Sequence, residues 1–280
     1  MNYLIVADSS ADLATRVYGK KKNNFASVPL KIITSEKEYI DDEKLNVELM
    51  VCDLENYSGR SYSSCPNQND WIEAFGEAEY VFCVTITSGL SGSYNSACAA
   101  KVEYESEHPG RKVLVIDSLS TGPEMILIVE KLSDLIHQNL DFNTICQQIS
   151  EYQNNTHLIF MLQSMKNLVN NGRVKPLTAK LAGILGIRVI GKADEKGTLE
   201  QLEKCRGEHK ALSAIIEQMK KHGFDGGKVR ITHCINSGAA ADLKNMLINE
   251  YKNIDVEIYP TRGLCSYYAE RGGLLIGFES

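Results

Sequence analysis

The 280-residue chain has no G-x-G-x-x-G after an apolar run and no G-x-x-x-x-G-K-[ST]. Neither the pyrophosphate turn of a dinucleotide fold nor a phosphate-binding P-loop is therefore written in it. It also lacks an excess of positive charge: 30 Lys+Arg stand against 36 Asp+Glu, with a pI near 5.6. Such a balance supplies no field for nucleic acid or an anionic membrane. The basic run Lys20-Lys21-Lys22 reads as a solvated helix end. No apolar run approaches a membrane span, and the opening Met1–Asp8 stretch has too short an apolar run for a signal peptide. Stable membrane insertion is not expected; a cytoplasmic location is. The eight cysteines, at 52, 65, 83, 98, 146, 205, 234 and 265, include no C-x-x-C. They fit reduced thiols better than disulfides. Cys83 and Cys98 suit burial as small hydrophobes. His233-Cys234 is a ligand pair without a second half. No metal or other cofactor is expected.

What is present is enough apolar material, 43% of residues, to bury a sizeable core in one large or two medium domains. Short β-branched runs alternate with helical patterns. Strands are expected at 3–7, 25–33, 80–87, 112–117, 157–162, 188–193, 228–234 and 256–259. Helices are expected at 46–55, 69–78, 93–107, 122–138, 142–154, 165–171, 209–222 and 239–251. This alternation predicts an α/β fold with largely parallel sheets. Length favours two sheets over one, so two α/β domains are expected, residues 1–154 and 155–280. The boundary falls at the polar stretch Tyr152-Gln153-Asn154-Asn155-Thr156.

The densest chemical signal is the passage from Val81 to Ala97. An apolar strand stops at Thr87-Ser88-Gly89-Leu90-Ser91-Gly92-Ser93, and a helix begins. A helix start offers unpaired N–H groups and a positive dipole end. Gly89 and Gly92 let the backbone come close to a ligand, while Ser91 and Ser93 supply donors. A phosphate or carboxylate would be well met there; a Ser at a helix start is also an ordinary N-cap. Asp8-Ser9-Ser10-Ala11-Asp12, Ser61-Tyr62-Ser63-Ser64-Cys65-Pro66 and Asp117-Ser118-Leu119-Ser120-Thr121-Gly122 add three more hydroxyl-rich corners. Four such corners favour a ligand crevice beyond strand C-termini over four independent caps. Arg173, just past the helix ending at Gly172, is a further polar candidate, although a cation there also suits the helix dipole. The rival reading is a serine hydrolase. Gly89-Leu90-Ser91-Gly92-Ser93 approaches the G-x-S-x-G elbow, with the second glycine one residue early; His233 would be the base and Asp194 or Asp225 its orienter.

Several ordered motifs together resemble the DegV family, which includes the fatty-acid-binding subunits of bacterial fatty acid kinase. Asp8-Ser9-Ser10-Ala11-Asp12-Leu13 is similar to its D-S-T-A-D-L. Val28-Pro29-Leu30 and Tyr39-Ile40-Asp41 are similar to its V-P-L and Y-x-D. Ser63-Ser64-Cys65-Pro66 falls on T-S-Q-P, and Leu90 to Ala97 on L-S-G-T-Y-Q-S-A. Asp117-Ser118, Asn171-Gly172-Arg173-Val174 and Cys205-Arg206-Gly207 match D-S, G-G-R-I and V-R-G. The resemblance implies two α/β domains clasping one long-chain fatty acid, its tail buried and its carboxylate held by hydroxyls. Carried over, the contacts are Ser63, Ser91 and the N–H of Gly92, with Ser64 and Ser93 beside them. Arg173 is placed near the ligand entrance or the kinase-facing surface. The implied partner is the catalytic subunit of a fatty acid kinase, to which the chain presents substrate without catalysing. The sequence departs from the family where a Gly-x-His turn is usual: Gly263-Leu264-Cys265-Ser266 stands there, making Cys265 and Ser266 candidate neighbours of the carboxylate, with Ser266 or Arg262 to compensate for the histidine, although Arg262 equally suits a surface charge.

Overall fold

A computed structural model describes residues 2–14, 24–175 and 186–280; the Lys20–Lys22 run lies outside the described residues. The strands are β1 (Tyr3–Asp8), β2 (Phe25–Val28), β3 (Lys31–Ile33), β4 (Glu38–Ile40), β5 (Tyr62–Ser64), β6 (Tyr80–Thr85), β7 (Lys112–Asp117), β8 (Thr156–Leu162), β9 (Ile187–Ala193), β10 (Leu199–Arg206), β11 (Gly227–His233), β12 (Ile254–Pro260) and β13 (Leu274–Glu279). The helices are α1 (Val47–Asn56), α2 (Gln68–Phe75), α3 (Ser93–Glu107), α4 (Pro123–His137), α5 (Phe142–Gln153), α6 (Lys166–Asn170), α7 (Glu208–Lys221), α8 (Ser237–Glu250) and α9 (Gly263–Ala269).

They form an α/β fold with three sheets. The first, ordered β2-β1-β6-β7, is wholly parallel, as the alternating pattern predicts. The second, ordered β10-β9-β8-β13-β11-β12, is mixed, and only β11 and β12 run parallel in it. The expectation of largely parallel strands therefore holds for the first sheet and is corrected in the second. The antiparallel β8–β9 pair and two strands that the pattern does not show carry that difference. β10 is rich in charge and reads as loop, and β13 contains Gly277, where a Cβ would lie 2.5 Å from the Glu124 amide nitrogen. The close approach of α4 to that strand explains the glycine. The third sheet, β4-β3-β5, is small and antiparallel. The single expected strand 25–33 is divided between two sheets at Pro29, whose missing N–H cannot serve a ladder.

Helix α4 joins the halves. Eleven of its residues, Met125 to Val129 among them, are buried. It packs against β1 and β6 of the parallel sheet and against β8, β11 and β13 of the mixed sheet. An apolar helix covered on both sides belongs to a core shared by the two sheets. Through it runs a buried ion pair: Arg230 of β11 donates to Glu130 from Nε at 2.9 Å and from Nη2 at 2.8 Å, and Nη2 also reaches Asp255 at 2.8 Å. The Arg230 side chain is 3% exposed.

Removing Glu130 takes away the bidentate buried partner and leaves the Arg230 guanidinium only the more exposed Asp255 carboxylate. The variant Glu130→Ala is therefore expected to lose about 3–5 kcal/mol of unfolding free energy. Urea unfolding followed by circular dichroism measures it, with the midpoint falling at an unchanged m-value.

Candidate functional site

The Ser corner forms as its sequence requires. β6 ends at Thr85; the Thr87 carbonyl then accepts the Leu90 amide at 3.3 Å and the Ser91 amide at 3.2 Å, and α3 starts at Ser93 with Gly92 as its N-cap. No side chain caps this helix, and the amides of Gly92, Tyr94 and Asn95 have no partner among the described residues. Donors are thus left open at the positive end of a 15-residue helix. Ser91 Oγ accepts the Ser93 amide at 3.3 Å.

Beside this corner lies a narrow, almost wholly apolar slot with a free volume of about 70 Å³. Leu158, Phe160, Leu162 and Leu275 of the mixed sheet form one wall; Leu30, Ile86 and Leu90 come from the parallel-sheet side, and Leu264, Cys265, Tyr268 and Ala269 from α9. The few polar groups are Ser63, Ser91, Thr121, Arg173 and the Tyr268 hydroxyl. Ser63 Oγ lies 2.7 Å from that hydroxyl. Arg173 donates from Nε to the Leu90 carbonyl at 3.1 Å and from Nη1 to the Asn171 carbonyl at 2.5 Å.

Of the residues singled out by sequence, Ser63, Ser91, Arg173 and Cys265 therefore share one cavity, and Gly92 adjoins it at the helix start. The others face elsewhere. Ser93 is fully buried and donates to Asp8 Oδ2 at 2.7 Å. Ser64 Oγ donates to the Cys65 carbonyl at 3.3 Å. Ser266 Oγ lies 2.6 Å from Thr261 Oγ1. Ser91 and His233 line different clefts; His233 Nδ1 accepts the Asn236 amide at 3.3 Å, and Asp194 is occupied by Lys196 and Thr198 of its own turn. All eight cysteines are free, and no group able to hold a metal occurs among the described residues. None of the described helices is long and apolar enough to cross a membrane.

A model of the DegV family, described as uncharacterised proteins, matches residues 2–279. The chain belongs to the DegV family. A DegV domain-containing protein of Streptococcus gordonii is 42% identical over 279 residues, covering 100% of this chain and 99% of its own. Among solved structures, a DegV protein of Eubacterium eligens loaded with heptadecanoic acid is 44% identical with a TM-score of 0.96, covering 99% of each chain. The Streptococcus pneumoniae Fatty Acid Kinase (Fak) B3 protein loaded with linoleic acid is 41% identical with a TM-score of 0.95, covering 100% of this chain and 99% of its own.

Two DegV motif residues have a task that the sequence did not disclose. Asp12 and Asp41 are both buried, and together they cap α9. Asp12 Oδ1 accepts the Arg262 amide at 2.6 Å, Asp41 Oδ1 the Gly263 amide at 2.7 Å and Asp41 Oδ2 the Leu264 amide at 2.8 Å. They thereby hold the helix that carries Cys265 and Tyr268 into the cavity. Asp12 is itself in the left-handed region, φ 57°, and its Oδ2 has no partner among the described residues. Burial raises its pKa to about 7; the Arg262 amide opposes this and the nearby Asp41 charge adds to it. Burial also raises Asp41 and Asp8 above the usual carboxylate range.

A carboxyl whose native pKa exceeds its unfolded value binds more protons in the native state. Its stabilisation is full below about pH 4 and is lost as pH rises toward about 7. Asp12→Asn keeps an oxygen for the Arg262 amide and removes this titration. The stability of the variant relative to the parent is therefore expected to rise between pH 4 and pH 7, by up to a few kcal/mol at roughly 1.4 kcal/mol per unit. Urea midpoints across that range measure the difference.

Proposed function

We propose that this protein binds one long-chain fatty acid, with the acyl tail in the apolar cavity and the carboxylate at the Ser63–Ser91 side, and presents it to a partner acyl kinase. The observation that carries the reading is the cavity itself: an apolar slot whose few polar groups include two serines beside an uncapped helix start. Two relatives with TM-scores of 0.96 and 0.95, loaded with heptadecanoic and linoleic acids, support it. The Fak B3 relative supports the kinase partner.

The chemistry divides between the two regions. Each buried methylene contributes about 0.8 kcal/mol, so an acyl tail supplies affinity without any charge on the protein. The carboxylate must exchange water for donors, and Ser63, Ser91 and the open Gly92 amide are the groups assigned to that task. Arg173 already spends Nε and Nη1 on the Leu90 and Asn171 carbonyls. It is therefore assigned to closing the entrance over the head group instead of gripping the head group bidentately. A carboxylate held by neutral donors keeps an oxygen available to attack a phosphoryl group, which a tight guanidinium clamp would not.

Native mass spectrometry of the protein purified from cells is expected to show a co-purifying fatty acid at one per chain. Protein that is empty and takes up no added fatty acid would falsify the reading. Ser91→Ala removes a donor to a charged group, worth about 1.5–3 kcal/mol, and is expected to weaken fatty-acid binding at least tenfold. Unchanged affinity removes Ser91 from the site. Covalent labelling of Ser91 by a fluorophosphonate, together with ester turnover, would instead support the hydrolase reading.

A further inference from the structure

The mixed sheet carries a row of directly paired residues on its cavity face: Thr232 of β11, Leu275 of β13, Phe160 of β8 and Gly191 of β9. Paired residues in neighbouring strands point to the same face. The row should therefore present four side chains toward the cavity, but its last member has none. The Phe160 ring fills the vacant place. A Cβ built on Gly191 would lie 2.2 Å from Phe160 Cζ and 2.6 Å from Cε2. The ring leans along the sheet onto the glycine backbone instead of standing up into the cavity that it lines. Glycine in a strand interior costs stability and marks a close approach, and here the approach is that of an aromatic side chain.

We infer that Phe160 and Gly191 act as a pair that sets how much acyl chain the cavity accepts: the glycine is a recess that draws the ring out of the slot, and long acids fit because the ring is withdrawn. This rests on the fatty-acid reading of the cavity and deepens it to a preference by chain length. The slot is narrow, and interiors packed at crystal-like density have no slack to absorb a displaced ring. A side chain at 191 would push the ring toward the ligand and exclude methylenes that now fit. Loss of the ring at 160 would extend the slot over the glycine. Short acids, which need less of the wall, would be affected less in both cases.

The test is competition binding of myristate and stearate to the full-length protein, read as the ratio of the two affinities so that partial unfolding cancels. Phe160→Leu is expected to raise the preference for stearate over myristate by fivefold or more. Gly191→Ala is expected to lower it about tenfold, and the double variant to return it toward the parent value. A Cβ at 191 would also lie 2.5 Å from the Glu200 carbonyl oxygen. If Gly191→Ala does not fold, Phe160→Leu alone decides. Ratios within twofold of the parent in every folded variant overturn the inference while leaving fatty-acid binding intact. A parent protein that binds neither acid overturns the fatty-acid reading and this inference together.

Discussion

The site depends on two buried carboxylates that hold the start of one short helix. α9 has only seven residues, too few to be stable by local hydrogen bonding, and its own sequence supplies no capping side chain. Its first amides are satisfied instead by Asp12, from the corner after β1, and Asp41, from the end of the small antiparallel sheet. Each carboxylate costs free energy to bury, as their raised pKa values record. Charge-assisted bonds to backbone N–H groups and the positive helix end offset that cost. The return is positional: parts of the chain more than two hundred residues apart are fixed around one helix.

The polar and apolar linings of the cavity follow from that placement. Tyr268 can meet Ser63 at 2.7 Å only because α9 is held against the three-stranded sheet to which Ser63 belongs. Cys265, on the same helix, donates its thiol to the Ser10 carbonyl at 3.3 Å and sits 3.5 Å from Thr121 Oγ1. Burial pushes that thiol well above its ordinary pKa, with Asp12 adding to the effect. It is therefore a neutral group at pH 7, a weak thiol donor already committed to the Ser10 carbonyl. The head-group side keeps its polarity in hydroxyls and amides.

Much of this was legible in the sequence because it is local. The strand-to-helix corner at Thr87–Ser93 is signalled by adjacent residues, and α3 begins at Ser93 as its pattern predicts. Ser63, Ser91 and Arg173 could be singled out in the same way, and they lie on one cavity. What was illegible is set by partners far away in the chain. α9 looks like a Gly- and Tyr-containing turn until Asp12 and Asp41 reach it. Ser93 carries the signature of a ligand serine or an N-cap, yet its hydroxyl is taken by Asp8, 85 residues earlier. The role of Tyr268 had no sequence signal, since its value lies in which serine it faces. β10 and β13 were missed because charge in the first and Gly277 in the second obscure the strand pattern that pairing imposes.

The same reasoning explains why Arg173 is better placed for closure than for recognition. An arginine that recognises a carboxylate presents its fork free and rigid. Here one donor of each edge of the guanidinium is committed, Nε to the Leu90 carbonyl of the Ser corner and Nη1 to the Asn171 carbonyl behind it. The side chain thus ties the segment after α6 to the strand-to-helix corner, beside the slot that it lines. The tie satisfies two backbone carbonyls whether or not a ligand is present. Nη2 is the guanidinium nitrogen left without a bond to those two carbonyls. In the proposed reading the guanidinium charge would draw in an anion without clamping it, leaving a carboxylate oxygen nucleophilic.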